Sequence, residues 1–326
     1  MSISRRQTIG ALAASAFALP AAAAQSGGTP KKVTMGVSVP AADHGWTAGV
    51  IWWAKRAMAL YPQIDWVFSP AQNPEKQVAD IETMMARRVD GLVILATESA
   101  PLTPTAKAAS QSGILVVNVD RGFLEPVADI FIEGDNKAFG RKSAQFIVDE
   151  LKKRSGGKGK VIVLEGIPCT VNTDRVTAGL EVFKANGIEV VGQASGQWSR
   201  QKALEVTETL LVKNPKIDVI WASDDDMALG AEQAIREAGR EKQIWILGGA
   251  GMKDIVKRVR DKDPMYPADI TYPPSMIATG IQLAVGVLRD GERKKVLEFM
   301  PKHMMIDVEL ITPANAAQYY FEQSVY

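Results

Sequence analysis

Two histidines, His44 and His303, and one cysteine, Cys169, are all that this 326-residue sequence holds of those two types. No motif surrounds Cys169, and no cluster has metal-ligand spacing, so neither nucleophilic nor metal chemistry is expected. The chain is read as a non-enzyme that needs no cofactor. What it does carry are carboxylates, arginines and aromatics in short groups. These are Asp43, His44 and Trp46; Asp120 and Arg121; Asn172 and Arg175; Trp198; Asp224; and Tyr272. Carboxylates accept hydrogen bonds from hydroxyls, and a guanidinium fork donates to two neighbouring oxygens in fixed geometry. Aromatic faces cover apolar C–H surface on a rigid frame. This set suits the binding of a small polar ligand, a sugar above all. Asp120–Arg121 is the strongest element of it, because adjacent opposite charges at the end of a buried strand need a partner to offset desolvation.

Such residues need elements to hold them. Short β-branched runs recur at 33–39, 64–69, 91–96, 114–119 and 129–132, and again at 160–165, 188–194, 218–222, 243–248 and 268–271. Several are near-continuous apolar runs (GLVILA, ILVVNV, VIVLEG, IWILGG), the pattern of strands buried on both faces of a parallel sheet. Amphipathic helical stretches lie between them, among them 74–88, with proline in the first turn, and 200–213. The expected fold class is α/β, with two doubly wound parallel-sheet lobes. A helix–turn–strand unit beginning at Lys76 is echoed in step by one beginning at Lys202, so the two lobes are expected to share a topology. Ligands of open α/β sheets bind beyond the carboxyl ends of the strands. Each candidate binding residue stands there, and the list closes with Ala250 after the ninth strand.

Composition bounds the rest. The apolar fraction is 46% and the net charge is +1, which point to a globular chain with no nucleic-acid partner. A monomer is expected. Arg5 and Arg6, the apolar stretch 9–19 and the small residues 21–24 form a twin-arginine export signal, with cleavage expected near Ala24. The destination would be the periplasm. A lone cysteine allows no intrachain disulfide, and Cys169 is read as a small buried residue. The segment LGGAGM at 247–252 lacks the spacing of a dinucleotide-binding loop. A repressor would need a DNA-binding helix-turn-helix where the export signal stands.

The segments GVSVP, QNPEKQ, VVNVDR, GDN, ASDDDMALGA and IWILGG resemble those of the ribose-binding-like family of periplasmic solute-binding proteins, which feed ABC sugar importers. The resemblance covers essentially all of the sequence after the leader. It implies a three-crossing hinge near 133–135, 272–273 and 303–304. The N-terminal lobe would comprise 30–134 and 273–303, and the C-terminal lobe 135–272 and 304–326. The ligand would sit between the lobes and be delivered to a membrane permease. A sensor that signals to a chemoreceptor or kinase, and a binder of some other small polar molecule, are the alternatives. By the family pattern Asp120 and Arg121 are the sugar-binding pair, Asp43 and Trp46 stand in the first-strand loop, Trp198 is the second lobe's stacking aromatic, and Arg175 matches the family arginine. Asp224 replaces an asparagine, and so is expected to accept hydrogen bonds without donating them. Two positions depart further. The family's F-D-G is Gly249, Ala250, Gly251 here, and a glutamine is replaced by Tyr272. Ribose is therefore expected to bind weakly. A hexose, deoxyhexose, polyol or amino sugar is expected instead, its bulk toward Ala250 and its donors matched to three carboxylates.

Overall fold

The computed structural model describes residues 32–289 and 291–326. The export signal read in residues 1–24 lies outside them.

The apolar runs become strands and the amphipathic stretches become helices, alternating along most of the chain. The first lobe is laid down by β1 (Thr34–Pro40), α1 (Gly45–Ala59), β2 (Asp65–Ala71), α2 (Pro74–Ala86), β3 (Gly91–Ile94), α3 (Ser99–Gln111), β4 (Leu115–Val119) and β5 (Ile130–Gly134). Local chemistry fixes several ends. Asn73 caps α2 by accepting from the Lys76 amide at 2.8 Å, with Pro74 in the first turn. In the second lobe come α4 (Asn136–Ser155), β6 (Lys160–Glu165), α5 (Thr170–Ala185), β7 (Glu189–Ser195), α6 (Arg200–Lys213), β8 (Val219–Ala222), α7 (Asp225–Glu237), β9 (Trp245–Leu247), α8 (Lys253–Arg260) and β10 (Asp269–Ile270). Gly156 closes α4 in the left-handed conformation at φ +65°, where a side chain would be strained.

After β10 the chain returns to the first lobe as α9 (Met276–Leu288), which packs on β3 and β4. α10 (Arg293–Phe299), β11 (His303–Ile306) and β12 (Leu310–Ile311) complete the order. The first sheet is β11-β5-β4-β3-β1-β2 and the second is β7-β6-β8-β9, parallel throughout. Both place the first strand of the lobe between the second and the third, the shared topology that the sequence echo leads one to expect. β3, β4, β8 and β9 are buried along their whole length, as strands sandwiched by helices must be.

Two strands were not anticipated. β11 pairs in parallel with β5, Met304 opposite Ile132, so the expected crossing at 303–304 falls inside a strand of the first sheet. The chain leaves that sheet only after Ile306. β12 then pairs antiparallel with β10, Ile311 opposite Asp269.

Candidate ligand-binding site

The carboxyl ends of strands from both sheets face one small cavity, the place where ligands of open α/β sheets bind. Nine of the eleven expected residues line it: His44, Trp46, Asp120, Arg121, Arg175, Trp198, Asp224, Ala250 and Tyr272, with Val171 added. Asp43 and Asn172 do not. Asp43 is spent locally, accepting from Thr47 at 2.8 Å and pairing with His44 Nδ1 at 2.6 Å, its own side chain 71% exposed. Partial burial acts against ionisation of Asp43, but the His44 and Thr47 contacts outweigh it and hold the carboxyl down at about 2. Asn172 is turned to its own loop, where its Oδ1 accepts from the Gly166 amide at 2.7 Å.

At the end of β4, Asp120 adopts φ +66° and turns a buried carboxylate into the cavity. Its neighbour Arg121 lies 3.8 Å from it, a loose pair. Arg121 is held mainly by the loop after β3, donating from Nη1 to the carbonyls of Thr97 at 2.7 Å and Ala96 at 3.1 Å. Its Nε is buried without a protein partner, and its guanidinium lies 4.9 Å from the ring centre of Trp198. Burial pushes the Asp120 carboxyl up, with Arg121 and a hydrogen bond from Tyr272 pulling the other way.

That bond is among the short side-chain contacts of the site. Tyr272 Oη donates to Asp120 Oδ1 at 2.5 Å and accepts from Asn136 Nδ2 at 3.0 Å. Trp46 Nε1 donates to the Tyr272 carbonyl at 2.9 Å. The ring is admitted by Gly134, where a Cβ would stand 2.2 Å from Cε2. Asn136 also accepts from Arg175 Nη2 at 2.9 Å, and the Arg175 guanidinium lies 3.8 Å from the centre of the Phe139 ring and 4.6 Å from that of Tyr272. The expectation that all three carboxylates must be filled by a ligand is thereby corrected, since Tyr272 already fills one acceptor of Asp120. Asn136 was missed as a site residue. It begins α4 at the carboxyl end of β5, so the same strand-end rule applied to the GDN segment would have found it.

The remaining carboxylates stand at the start of α7. Asp224 caps the helix, accepting from the Met227 amide at 3.0 Å. Burial raises its carboxyl to about 7. Near neutral pH it is protonated in a large share of molecules and then donates as an asparagine would. Asp225 Oδ1 and Oδ2 accept from the amides of Gly249 and Met252, both at 2.8 Å, and so fix the loop that carries Ala250. Ala250 keeps φ +118° and accepts at its carbonyl from the Tyr272 amide at 3.3 Å, which couples the two departures from the family pattern. Cys169 is buried next to the first turn of α5, and burial pushes its thiol up, the setting of an unreactive cysteine.

A profile of the periplasmic binding protein domain matches residues 35–293. The chain belongs to the periplasmic binding protein family. A D-ribose/D-allose-binding protein of Pseudomonas aeruginosa is 32% identical to this periplasmic binding protein over 66% of its length and 68% of the relative's. A D-allose-binding periplasmic protein of Escherichia coli is 28% identical over 78% and 84%. Among solved structures, an ABC transporter solute-binding protein of Mycobacterium smegmatis with bound glycerol superposes with a TM-score of 0.79 at 26% identity, over 90% of this chain and 98% of that one.

Proposed function

We propose that this periplasmic binding protein captures a small sugar or polyol between its lobes and delivers it to the permease of an ABC importer. It performs no catalysis. One observation carries the reading: Asp120, Arg121, Arg175 and Asp224 converge with Trp46, Trp198 and Tyr272 on a single small cavity between two parallel sheets. Buried donors and acceptors would hold hydroxyls there while aromatic rings cover C–H faces. Relatives named for ribose and allose, and a similar solute-binding protein solved with bound glycerol, support this ligand class.

The proposed hinge comprises three passages between the sheets, near 134–136, near 272–273 and after β11 at 306–308. Closure about it would complete the set of contacts to the ligand. We further propose export to the periplasm by the twin-arginine route, with the leader removed near Ala24.

The test is a thermal-shift screen of the mature protein against sugars and polyols. A ligand that binds only the folded state raises the midpoint with the logarithm of its concentration over its dissociation constant. Small-angle scattering with the best ligand should give a smaller radius of gyration. A screen in which no sugar or polyol moves the midpoint would reject the ligand class.

A further inference from the structure

The last residues cross the surface with Phe321, Glu322, Gln323 and Val325 exposed, yet Tyr326 is only 5% exposed. A segment that leaves Phe321 and Val325 in solvent does not bury the next aromatic by general collapse. A socket receives it, with walls from both lobes.

The first wall is α1. Gly45 and Gly49, one turn apart, leave a trough with no side chains. A Cβ on Gly45 would stand 2.9 Å from Cδ2 of the Tyr326 ring, and one on Gly49 would stand 3.1 Å from Tyr326 Cβ. The second wall is the acidic start of α7, whose Asp226 Oδ2 reaches the same Gly45 position as the Tyr326 ring. Burial, then the proximity of Asp224, Asp225, Asp226 and Asp269, push the phenol well above its usual range. The approach to the socket is tied to the second lobe, where Lys253 Nζ in α8 donates to the Ser324 carbonyl at 2.8 Å. A segment anchored on one lobe thus seats its ring against the other.

The ring lies beside a direct bond between the lobes. The Gly45 amide donates to Asp226 Oδ2 at 2.7 Å, and a Cβ on Gly45 would meet Asp226 Oδ2 and Tyr326 Cδ2 at the same 2.9 Å. Packing there shields one side of this part-buried bond from water, and a hydrogen bond to a carboxylate strengthens as its surroundings become less polar. The Tyr326 hydroxyl is buried without a partner. A hydroxyl so placed opposes insertion, so the ring is what the socket holds.

We propose that Tyr326 is a latch for the cleft, a positioning residue outside the ligand cavity that bridges α1 and α7 and slows reopening. The proposal rests on the cleft being the ligand site.

Stopped-flow tryptophan fluorescence on the mature protein, with D-ribose, D-allose, xylitol and glycerol as probes, tests it. For whichever probe wild type binds, Tyr326→Ala should raise the dissociation rate about tenfold or more and leave association within about threefold. Tyr326→Phe should stay within about twofold of wild type, because the hydroxyl has no partner to lose. Lys253→Ala, which frees the segment from the second lobe, should raise dissociation by about threefold or more and carries the test if Tyr326→Ala does not fold. A second readout needs no ligand: the Gly45 amide should exchange with solvent about tenfold faster in Tyr326→Ala. Unchanged dissociation and unchanged exchange would overturn the latch, as would a Tyr326→Phe variant as impaired as Tyr326→Ala. If wild type binds none of the four probes, exchange at Gly45 alone decides the latch, while the ligand class stands or falls by the thermal-shift screen.

Discussion

Tyr272, which follows β10, donates its phenolic hydrogen to Asp120 at the end of β4 across 2.5 Å, joining groups that stand 152 residues apart in the chain. The bond satisfies a carboxylate that burial has already pushed toward its neutral form. Replacing Tyr272 by Phe removes the donor and leaves the ring. The expected cost is about 1–3 kcal/mol of folding stability. The loss should be larger at pH 8 than at pH 5, because the missing bond favoured the ionised carboxylate. Urea denaturation at the two pH values checks this, and a change below about 0.5 kcal/mol would show that the bond is incidental.

The buried acids also set the pH dependence of the wild type. Asp224 and Asp269 are raised to about 7 from an ordinary 3.8. Between those values the native state keeps protons that the unfolded chain has given up. Their contribution is therefore complete below about pH 4 and is lost as pH rises through 7, by up to about 1.4 kcal/mol per pH unit for each proton. Asp43, held at about 2, acts in the opposite sense and only in acid, where its contribution falls away below pH 4. The urea midpoint should thus be higher at pH 5 than at pH 8. Asp224→Asn, which keeps the cap acceptor and cannot ionise, should narrow the gap.

Much of this was legible in the sequence, for a definite reason. A strand buried on both faces must be apolar throughout, so β3, β4 and β8 announce themselves, and the residues after them are placed by the topology. β11 does not announce itself. Its side chains alternate between exposed and half-buried, and its partner β5 lies about 170 residues upstream, so neither composition nor neighbourhood marks it. Nor does a polar residue type reveal whether the loop consumes it. Asn172 is taken by the Gly166 amide and Asp43 by His44 and Thr47, while Asp120 remains in the cavity. The neutral form of Asp224 depends on burial by residues distant in sequence, and no local motif encodes that.

Export gives a third test. Replacing Arg5 and Arg6 by Lys should leave the protein in the cytoplasm with its leader attached, because the arginine pair is read as the address of the route. Fractionation and mass spectrometry of the N-terminus follow both outcomes. Normal cleavage near Gln25 in the periplasm would refute the twin-arginine route and leave secretion itself standing.

Ala250 occupies a conformation that costs a residue with a side chain about 1–3 kcal/mol. Ala250→Gly relieves that strain, against roughly 0.5–1 kcal/mol for the greater freedom of glycine in the unfolded chain. The variant should be more stable by about 1 kcal/mol, and its ligand preference should change little because the methyl group is small. A destabilised Ala250→Gly would mean that the methyl's packing in the loop outweighs the backbone strain.

Specificity turns on the same pair of positions. The Tyr272 phenol fills space at the cavity wall and holds one oxygen of Asp120, while the Ala250 side chain offers no acceptor. A ligand matched to a site with glutamine and aspartate at these places would meet a filled wall at one and a missing partner at the other. Weak binding of ribose is the expected result, with a polyol or a larger sugar preferred. Tyr272→Gln replaces the ring by a shorter group that both donates and accepts, and it frees Asp120 Oδ1 for a ligand hydroxyl. That variant should gain about tenfold or more in ribose affinity, the effect of one well-placed hydrogen bond of about 1.4 kcal/mol. It should also lose affinity for the ligand that wild type prefers, since the Trp46, Arg175 and Asn136 contacts are arranged around the phenol. Calorimetric titration of both proteins with ribose and the best polyol decides the matter. Submicromolar ribose binding by wild type, with no tighter ligand in the panel, would show that Tyr272 and Ala250 do not set the preference.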